Sequence, residues 1–476
     1  MKRDLVSGLE SSPALLALQQ FVRDSAEQRI SGPHAWEKFE RRLREKTAAL
    51  EREILEDRLQ QEDVDADRVR IDGVLHRRAC RSASTYQSVS GPVRVERNLY
   101  RPCGKRGAKA VCPLELKVGI VAGEYTQWAA RQMATMMASH SSAEAERVFP
   151  EIGVFCPSRS NLDRLPKQLS EDWEAHRVEW EEELRSGEVV PPEASSVAVA
   201  LDGVLIPSRE TPSPDPAPGK RAQGPRNFRE VSCGAVSLHD REGNRLQTIR
   251  YARAPEFNKL ELKDQLTAEL RSILDVRPEL KVVLLADGAR DHWEFFDGLK
   301  RQGLTENRVY QLLDFWHVCE HLKEALDLHY GEQTPKSRSR FEALKVTLKE
   351  DEQGVDKVIR SLVSLRTRMP ASRRKKLDTV IGFFRKHRSH MMYADAQRQG
   401  LPIGSGVVEA SCKTLATQRL KNSGMRWSDR GAQAILTLRA LRQSDQDRWD
   451  RGWRLLASAY HACVHELQPT PLRMCG

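Results

Sequence analysis

Three carboxylates in this sequence could do chemistry together. Asp202 lies inside the apolar run SVAVALDGVLI, and Asp287 closes a second run, KVVLLADG. Glu409 falls in the first turn of a helical pattern that opens at Gly404-Ser405-Gly406. Spacings of 85 and 122 residues mean that only the fold can bring them together. Converged, they would supply the hard oxygen donors that suit Mg²⁺ or Mn²⁺. Two such ions held ~3.5–4 Å apart activate an attacking oxygen and stabilise a leaving one in an in-line displacement at phosphorus. Singly, each has a plainer role. Aspartates at strand ends often form turns, and a glutamate in a first helical turn is favoured by the helix dipole.

The segment from Ser195 to Asp314 has the element order needed to align them. SVAVALDGVLI reads as a buried strand, and a Pro-rich, mobile-looking loop (PSRETPSPDPAPGKRAQGPRN) follows. EVSCGAVSLHD and RLQTIRYARA, joined at Arg241-Glu242-Gly243-Asn244, read as a hairpin. A helix over 256–275, the strand ending at Asp287, a helix over 291–303 and the strand VYQLLDF ending at Asp314 complete the set. Three antiparallel strands followed by two strands alternating with helices is an α/β layout of the ribonuclease H type: a mixed five-stranded sheet with flanking helices. Such a sheet presents strand-end carboxylates side by side.

Downstream, residues 317–395 read as helical and form an expected all-helical insertion before the Glu409 helix. Ser405 is the expected N-cap of that helix, with Val408, Cys412 and Leu415 at helical spacing. Lys413 lies one turn beyond Glu409, as an intrahelical partner or a phosphate contact. Between Arg366 and Arg388 stand nine Lys/Arg and one acid, including Arg373, Arg374, Lys375 and Lys376, with Phe383 and Phe384 interrupting. That run is either a solvated helical face or a phosphate-binding surface.

Upstream of the sheet, helices are expected over 10–30 and 33–62. The second carries an apolar stripe of Trp36, Phe39, Leu43, Leu50 and Ile54, suited to packing or to a dimer contact. Short alternating segments from Val69 to Val118, with AVCPLELKVG as the last, read as a small antiparallel module. Cys103 and Cys112 flank a Gly/Lys-rich turn there, but each lacks the second cysteine of a zinc knuckle. Ser141-x-x-Glu144 is a capping-box pattern, and a turn then leads to a long helix opening with Ser158, Arg159, Ser160 and Asn161. This is either a helix-turn-helix DNA reader, with Arg159 and Asn161 at its contact end, or a plain helical hairpin. The expected divisions are 1–65, 66–123, 124–190, 191–316, 317–395, 396–445 and a C-terminal tail 446–476, loose from Pro469.

Bulk properties agree with a DNA enzyme without requiring one. The chain has 476 residues, 39% hydrophobic and 30% charged, and a net charge of +10, consistent with a nucleic-acid partner. Nine scattered cysteines, no two in a C-x-x-C pair, point to free thiols in a reducing compartment. With no signal-peptide pattern and no long apolar run, the cytoplasm is the expectation.

AVALDGVLIP, LLADGARDHWEFF, LLDFWHVCEHL and GLPIGSGVVEASCKTLATQRLKNSGMRWSDRGAQAIL together resemble bacterial insertion-sequence transposases of the DDE type. The nearest group is the ISKra family, more distantly related to Mutator-like enzymes. The resemblance spans about 70–445 and is most specific in the GSGVVEASCK–RLKNSGMRWS block. It implies a ribonuclease H-like catalytic core and assigns Asp202, Asp287 and Glu409 as ligands of two Mg²⁺ or Mn²⁺ ions. It also assigns an accessory role to Asp314-x-x-His317, which matches the family's C/D(2)H signature. The implied reaction is cleavage at element ends and attack of a 3′-hydroxyl on target double-stranded DNA, by a homodimer or larger assembly. Three rivals stand beside it. One is a domesticated, catalytically silent DNA-binding protein. Another is a related nuclease that cuts without joining. The last is a zinc metallopeptidase using His317, Glu320 and His321 of an H-x-x-E-H match.

Overall fold

The computed structural model describes residues 12–467, except 106, 210–227, 305–308 and 423. Residues 210–227 of the Pro-rich loop and the tail from Pro469 lie outside the described residues. In chain order the helices begin with α1 (Pro13–Glu27) and α2 (Pro33–Gln61), and three strands follow: β1 (Arg68–Ile71), β2 (Val74–Ser88) and β3 (Gly91–Pro102). Then come α3 (Pro113–Val118), α4 (Gln127–Ser139), α5 (Ser142–Ile152) and α6 (Arg159–Ser186). Strands β4 (Ser196–Pro207), β5 (Phe228–His239) and β6 (Arg245–Arg253) precede α7 (Leu260–Val276), β7 (Lys281–Ala286), α8 (Arg290–Arg301) and β8 (Val309–Leu313). Five helices follow: α9 (Phe315–Tyr330), α10 (Pro335–Glu350), α11 (Gly354–Thr367), α12 (Ala371–Lys386) and α13 (Tyr393–Arg398). The chain then forms α14 (Gly406–Ser411), α15 (Asp429–Gln443), α16 (Arg448–Ser458) and β9 (Val464–Leu467). Two compact units divide it: Met1–Arg177 with Asp450–Gly476, and Val178–Trp449. No helix among the described residues is long and apolar enough to cross a membrane.

In the first unit a four-stranded sheet runs β3-β2-β1-β9. Two expectations are corrected here. The segment around Cys112 is not a strand throughout: Pro113 starts the short helix α3, because proline is favoured at a first helical position and cannot donate to a strand ladder. The C-terminal region is not a mere tail either, since β9 pairs antiparallel with β1 from Arg68↔Leu467 to Ile71↔Val464. Cys112 is buried beside Tyr86, and burial pushes its thiol up to about 11, while Cys103 is exposed. The capping box at Ser141 is formed, with hydroxyl and Glu144 carboxylate satisfying each other's backbone N–H groups.

The second unit is a mixed α/β structure around a mixed five-stranded sheet of order β6-β5-β4-β7-β8. β4, β5 and β6 are antiparallel neighbours, while β7 and β8 run parallel to β4 and to each other. Strand periodicity gives the sheet two different faces. Val197, Val199, Leu201, Val282 and Leu284 pack with Leu262, Leu266 and Leu270 of α7 and Phe296 of α8. Ala198, Ala200, Cys233, Ala235, Val283 and Leu285 meet Val408, Cys412, Leu415 and Ala416 on the opposite side. Small side chains on that second face let the Glu409 helix approach the sheet closely. Residues 315–398 form a helical body with its own core, including Val318, Leu322, Leu344, Leu362, Leu377 and Phe384.

A candidate two-carboxylate site within β4 and just past β7

The parallel ladder between β4 and β7 runs in constant register from Ser196↔Lys281 to Ala200↔Leu285. Asp202 and Asp287 each stand two residues past that last pair. By the period-two rule Asp202 continues the face of Ala200, the one covered by the Glu409 helix, while Asp287 stands in the bend just past β7. Their electrostatics differ. Burial raises the pKa of Asp202, and the neighbouring charge of Asp287 raises it further; the Gly203 N–H (2.7 Å), His292 and the Cys412 thiol oppose this. For Asp287 burial pushes upward too, but His292, the Ala289 N–H (3.0 Å) and the charge of His317 outweigh it. The carboxyl falls to about 2. Burial and the charge of Asp287 thus raise one carboxyl, while the histidines beside the other lower it.

Glu409 is exposed on α14, one turn before Cys412. The Cys412 thiol contacts Asp202 and Cys233, and the Cys233 contact, with burial, pushes it well above the ordinary thiol range. Glu409 thus rides the helix that touches Asp202. Among the described residues, no three His, Cys, Asp or Glu side chains converge closely enough to hold a metal ion. Oxygen donors from Asp202 and Asp287 fit a hard divalent cation in kind; Glu409 would have to close in from its helix. That helix departs from the simple pattern. Its continuation, Cys412–Thr417, is wound as a π-helix, a rare geometry frequent at functional sites.

Ser405 is not the side-chain cap that its position predicts. No cap hydrogen bond forms, and its hydroxyl donates instead to the Asp314 carboxylate. Asp314 is 6% exposed and caps α9 by accepting from the Trp316 N–H at 2.7 Å. The Phe315 N–H donates to the Ile403 carbonyl at 3.0 Å, and a Cβ on Gly404 would lie 2.9 Å from the Trp316 ring. The start of α9 therefore clamps the turn that aims the Glu409 helix. His317, one turn into α9, lies close enough to Asp287 to lower its pKa. Its ring packs edge-on to His321 at 4.8 Å, and Phe383 of α12 lies 4.1 Å from His321. Glu320 is exposed, its Oε2 3.5 Å from His317 Nδ1. The H-x-x-E-H segment therefore packs on Phe383 and on itself, and among the described residues no third ligand joins it.

Several participants were missed in the sequence. His292 is buried, with Nδ1 3.2 Å from Asp287 Oδ1 and Nε2 3.3 Å from Lys259 Nζ. Lys259 also reaches Asp291 at 3.1 Å and Glu230 at 3.2 Å. Glu230 covers the strand beside Asp202: a Cβ on Gly203 would sit 1.7 Å from its Oε1. His292 follows Asp287 by five residues at the first turn of α8, a spacing that could have flagged it. Lys259, with a left-handed φ of 55°, gave no such signal. From the helical body, Phe383 and His387 come within 3.8 and 3.9 Å of where a Cβ on Gly288 would be.

The expected DNA contacts divide. Arg373 donates to the Leu328 carbonyl at 3.1 Å and Arg374 to Met369 at 2.8 Å, so both are partly spent on their own fold. Lys375 and Lys376 are exposed on α12. Lys413 is exposed and forms no ion pair with Glu409 among the described residues. In the other unit, Arg159 is exposed at the start of α6, while Asn161 accepts from Arg164 at 3.0 Å.

No family profile and no curated protein matches the chain. Among solved structures it is similar to the Drosophila P element transposase strand transfer complex, at 12% identity and a TM-score of 0.24. That match covers 70% of this chain and 83% of that one. It is also similar to the Mos1 transposase paired-end complex with left transposon end, at 12% identity and TM-score 0.17, over 58% and 78% of the two chains. A pre-cleavage Mos1 transpososome matches at 11% and 0.13, over 45% and 75%. Likenesses this distant leave the functional reading to rest on the site itself.

Proposed function

We propose that the protein is a DNA transposase of the DDE type, with a ribonuclease H-like core. In this reading it cleaves double-stranded DNA at element ends and transfers the 3′-hydroxyl to target DNA. The observation that carries this is the nearness of Asp202, on β4, to Asp287, one residue past β7, where the helix that carries Glu409 reaches Asp202 through Cys412. The motif resemblance to ISKra-type insertion-sequence enzymes names the same three residues.

Asp202 and Asp287 would hold Mg²⁺ or Mn²⁺ between them, and Glu409 would complete the ligand set from α14. When bound, the ions supply charge neutralisation at phosphorus and an activated hydroxyl. The remaining work belongs to the chain. His292 lies against the Asp287 carboxylate and lowers its pKa, and Asp314 with Ser405 fixes the turn before Glu409. Lys375, Lys376 and Lys413 offer charge to phosphates. Joining two element ends calls for at least a homodimer.

The test is incubation of the full chain with a duplex carrying a candidate element end, in Mg²⁺ and in EDTA. Mg²⁺-dependent nicking and strand transfer are expected. Nicking without joined product would assign a nuclease, and binding without either would assign a silent DNA-binding protein.

A further inference from the structure

The first unit carries a feature that the catalytic site does not use. In its four-stranded sheet Arg68 of β1 is directly opposite Arg77 of β2, and Arg77 is directly opposite Arg101 of β3. Three arginines thus form one row across three strands. All three are exposed, and among the described residues none has an ion-pair partner. Arg70 and His465, themselves opposite each other, lie on the same face two residues along. Like charges placed directly opposite each other weaken strand pairing, so such a row works against the sheet's stability. The other parity behaves differently. Arg78, one residue on and facing the other way, is held by Asp65 and by Asp67 at 2.7 Å, across from the buried Tyr100. The acids of this module therefore neutralise the arginine on the Tyr100 side and leave the outer row bare.

Strands ~4.8 Å apart put the row across roughly 10 Å. With a rise of ~3.4 Å per nucleotide on one DNA strand, that length faces about two to three successive phosphates. Guanidinium forks are suited to phosphate oxygens, and their mutual repulsion is relieved when a polyanion lies along them.

We propose that the outer face of the β3-β2-β1 sheet is a docking surface for the phosphate backbone of duplex DNA. It is separate from the carboxylate site and shares with the catalytic reading only the choice of DNA as partner. Contacts of this kind position a protein on DNA without reading its sequence.

The test is anisotropy of the full chain on a short mixed-sequence duplex, in EDTA, over a range of salt. The variant is the triple Arg68→Gln, Arg77→Gln, Arg101→Gln. Affinity is expected to fall at least ~10-fold at low salt, and the slope of log K against log[salt] to shrink by about 2–3. The thermal midpoint should stay level or rise, since a repulsive row is removed, which separates lost binding from lost folding. Polyglutamate, a flexible polyanion without the duplex's phosphates, is titrated in parallel. Unchanged affinity and slope, or loss of polyglutamate binding with duplex binding intact, overturns the proposal. Because no divalent cation is free in EDTA, the result is independent of cleavage: a wild-type chain that never cuts DNA in Mg²⁺ but shows this arginine dependence would sink the catalytic reading alone.

Discussion

Asp202, within β4, and Asp287, one residue past the end of the parallel neighbour β7, each stand two residues beyond the paired Ala200 and Leu285. The sheet holds two carboxyls side by side there, yet tunes them in opposite directions. This gives a stability signature of opposite sign. Asp202 has a raised native pKa, so its ionised form costs stability once pH exceeds the ordinary carboxylate range. Asp202→Asn should therefore stabilise the protein at pH 7, with the gain vanishing below about pH 4. Asp287 is depressed to about 2, so it contributes stability that is present above the ordinary range and lost as pH falls towards 2. Asp287→Asn should cost ~1 kcal/mol at pH 7, after discounting for solvent screening of its partly exposed carboxylate. Denaturant unfolding at pH 7 and pH 4 measures both; two changes of the same sign would refute the assigned environments.

A divalent cation should reverse the first effect. Mg²⁺ at saturating concentration is expected to raise the wild-type melting temperature and to do so weakly or not at all for Asp202→Asn and Asp287→Asn, because ligand binding to the native state stabilises it by mass action. Equal shifts in all three proteins would mean that the ion binds elsewhere.

The clamp between α9 and the Glu409 turn should matter for rate more than for folding. Ser405→Ala removes one charge-assisted hydrogen bond but leaves Asp314 its Trp316 N–H, so a loss of about 1.5–3 kcal/mol is the ceiling. Cleavage is expected to slow about 10-fold or more with DNA affinity unchanged, since misplacement of a catalytic group by ~1 Å costs up to ~100-fold. Gly404→Ala, which presses a methyl on the Trp316 ring, should do the same at a cost of about 1–3 kcal/mol. Wild-type rates in both variants would remove Asp314 and Ser405 from the account.

Charge reversal on α12 should be asymmetric. Lys375→Glu with Lys376→Glu is expected to weaken duplex binding and flatten its salt dependence. Reversal at Arg373 and Arg374 should additionally lower stability, because those two guanidiniums are tied to main-chain carbonyls. If the lysine pair leaves the salt slope unchanged, α12 presents a solvated face.

Much of the second unit's sheet was legible because its strands are apolar runs bounded by turn-forming or helical segments. Apolar runs located β4 to β8, and the hairpin at Asp240–Asn244 formed where Gly243 supplies a φ of 83°. Local signals also placed the capping box at Ser141. What escaped detection was long-range. The donation of Ser405 to Asp314 spans 91 residues and overrides a sound local cap rule. β9 joins a sheet whose other strands lie nearly four hundred residues earlier, and four residues carry too little pattern to announce it. The π-wound turn after Ser411 has no propensity signature, and Lys259 enters the network through a left-handed backbone that its residue type disfavours. Pro113, by contrast, was a helix-start signal in plain view within a segment read as strand.

The most direct test of the central claim is single-turnover cleavage of an element-end duplex in Mg²⁺ by wild type, Asp202→Asn, Asp287→Asn and Glu409→Gln, with binding measured alongside. The three substitutions should each reduce cleavage by at least ~1,000-fold, about 4 kcal/mol of transition-state stabilisation, while duplex affinity stays within ~3-fold. Cleavage at the wild-type rate by any one of them would contradict the assignment of that carboxylate and, with it, the shared two-ion site.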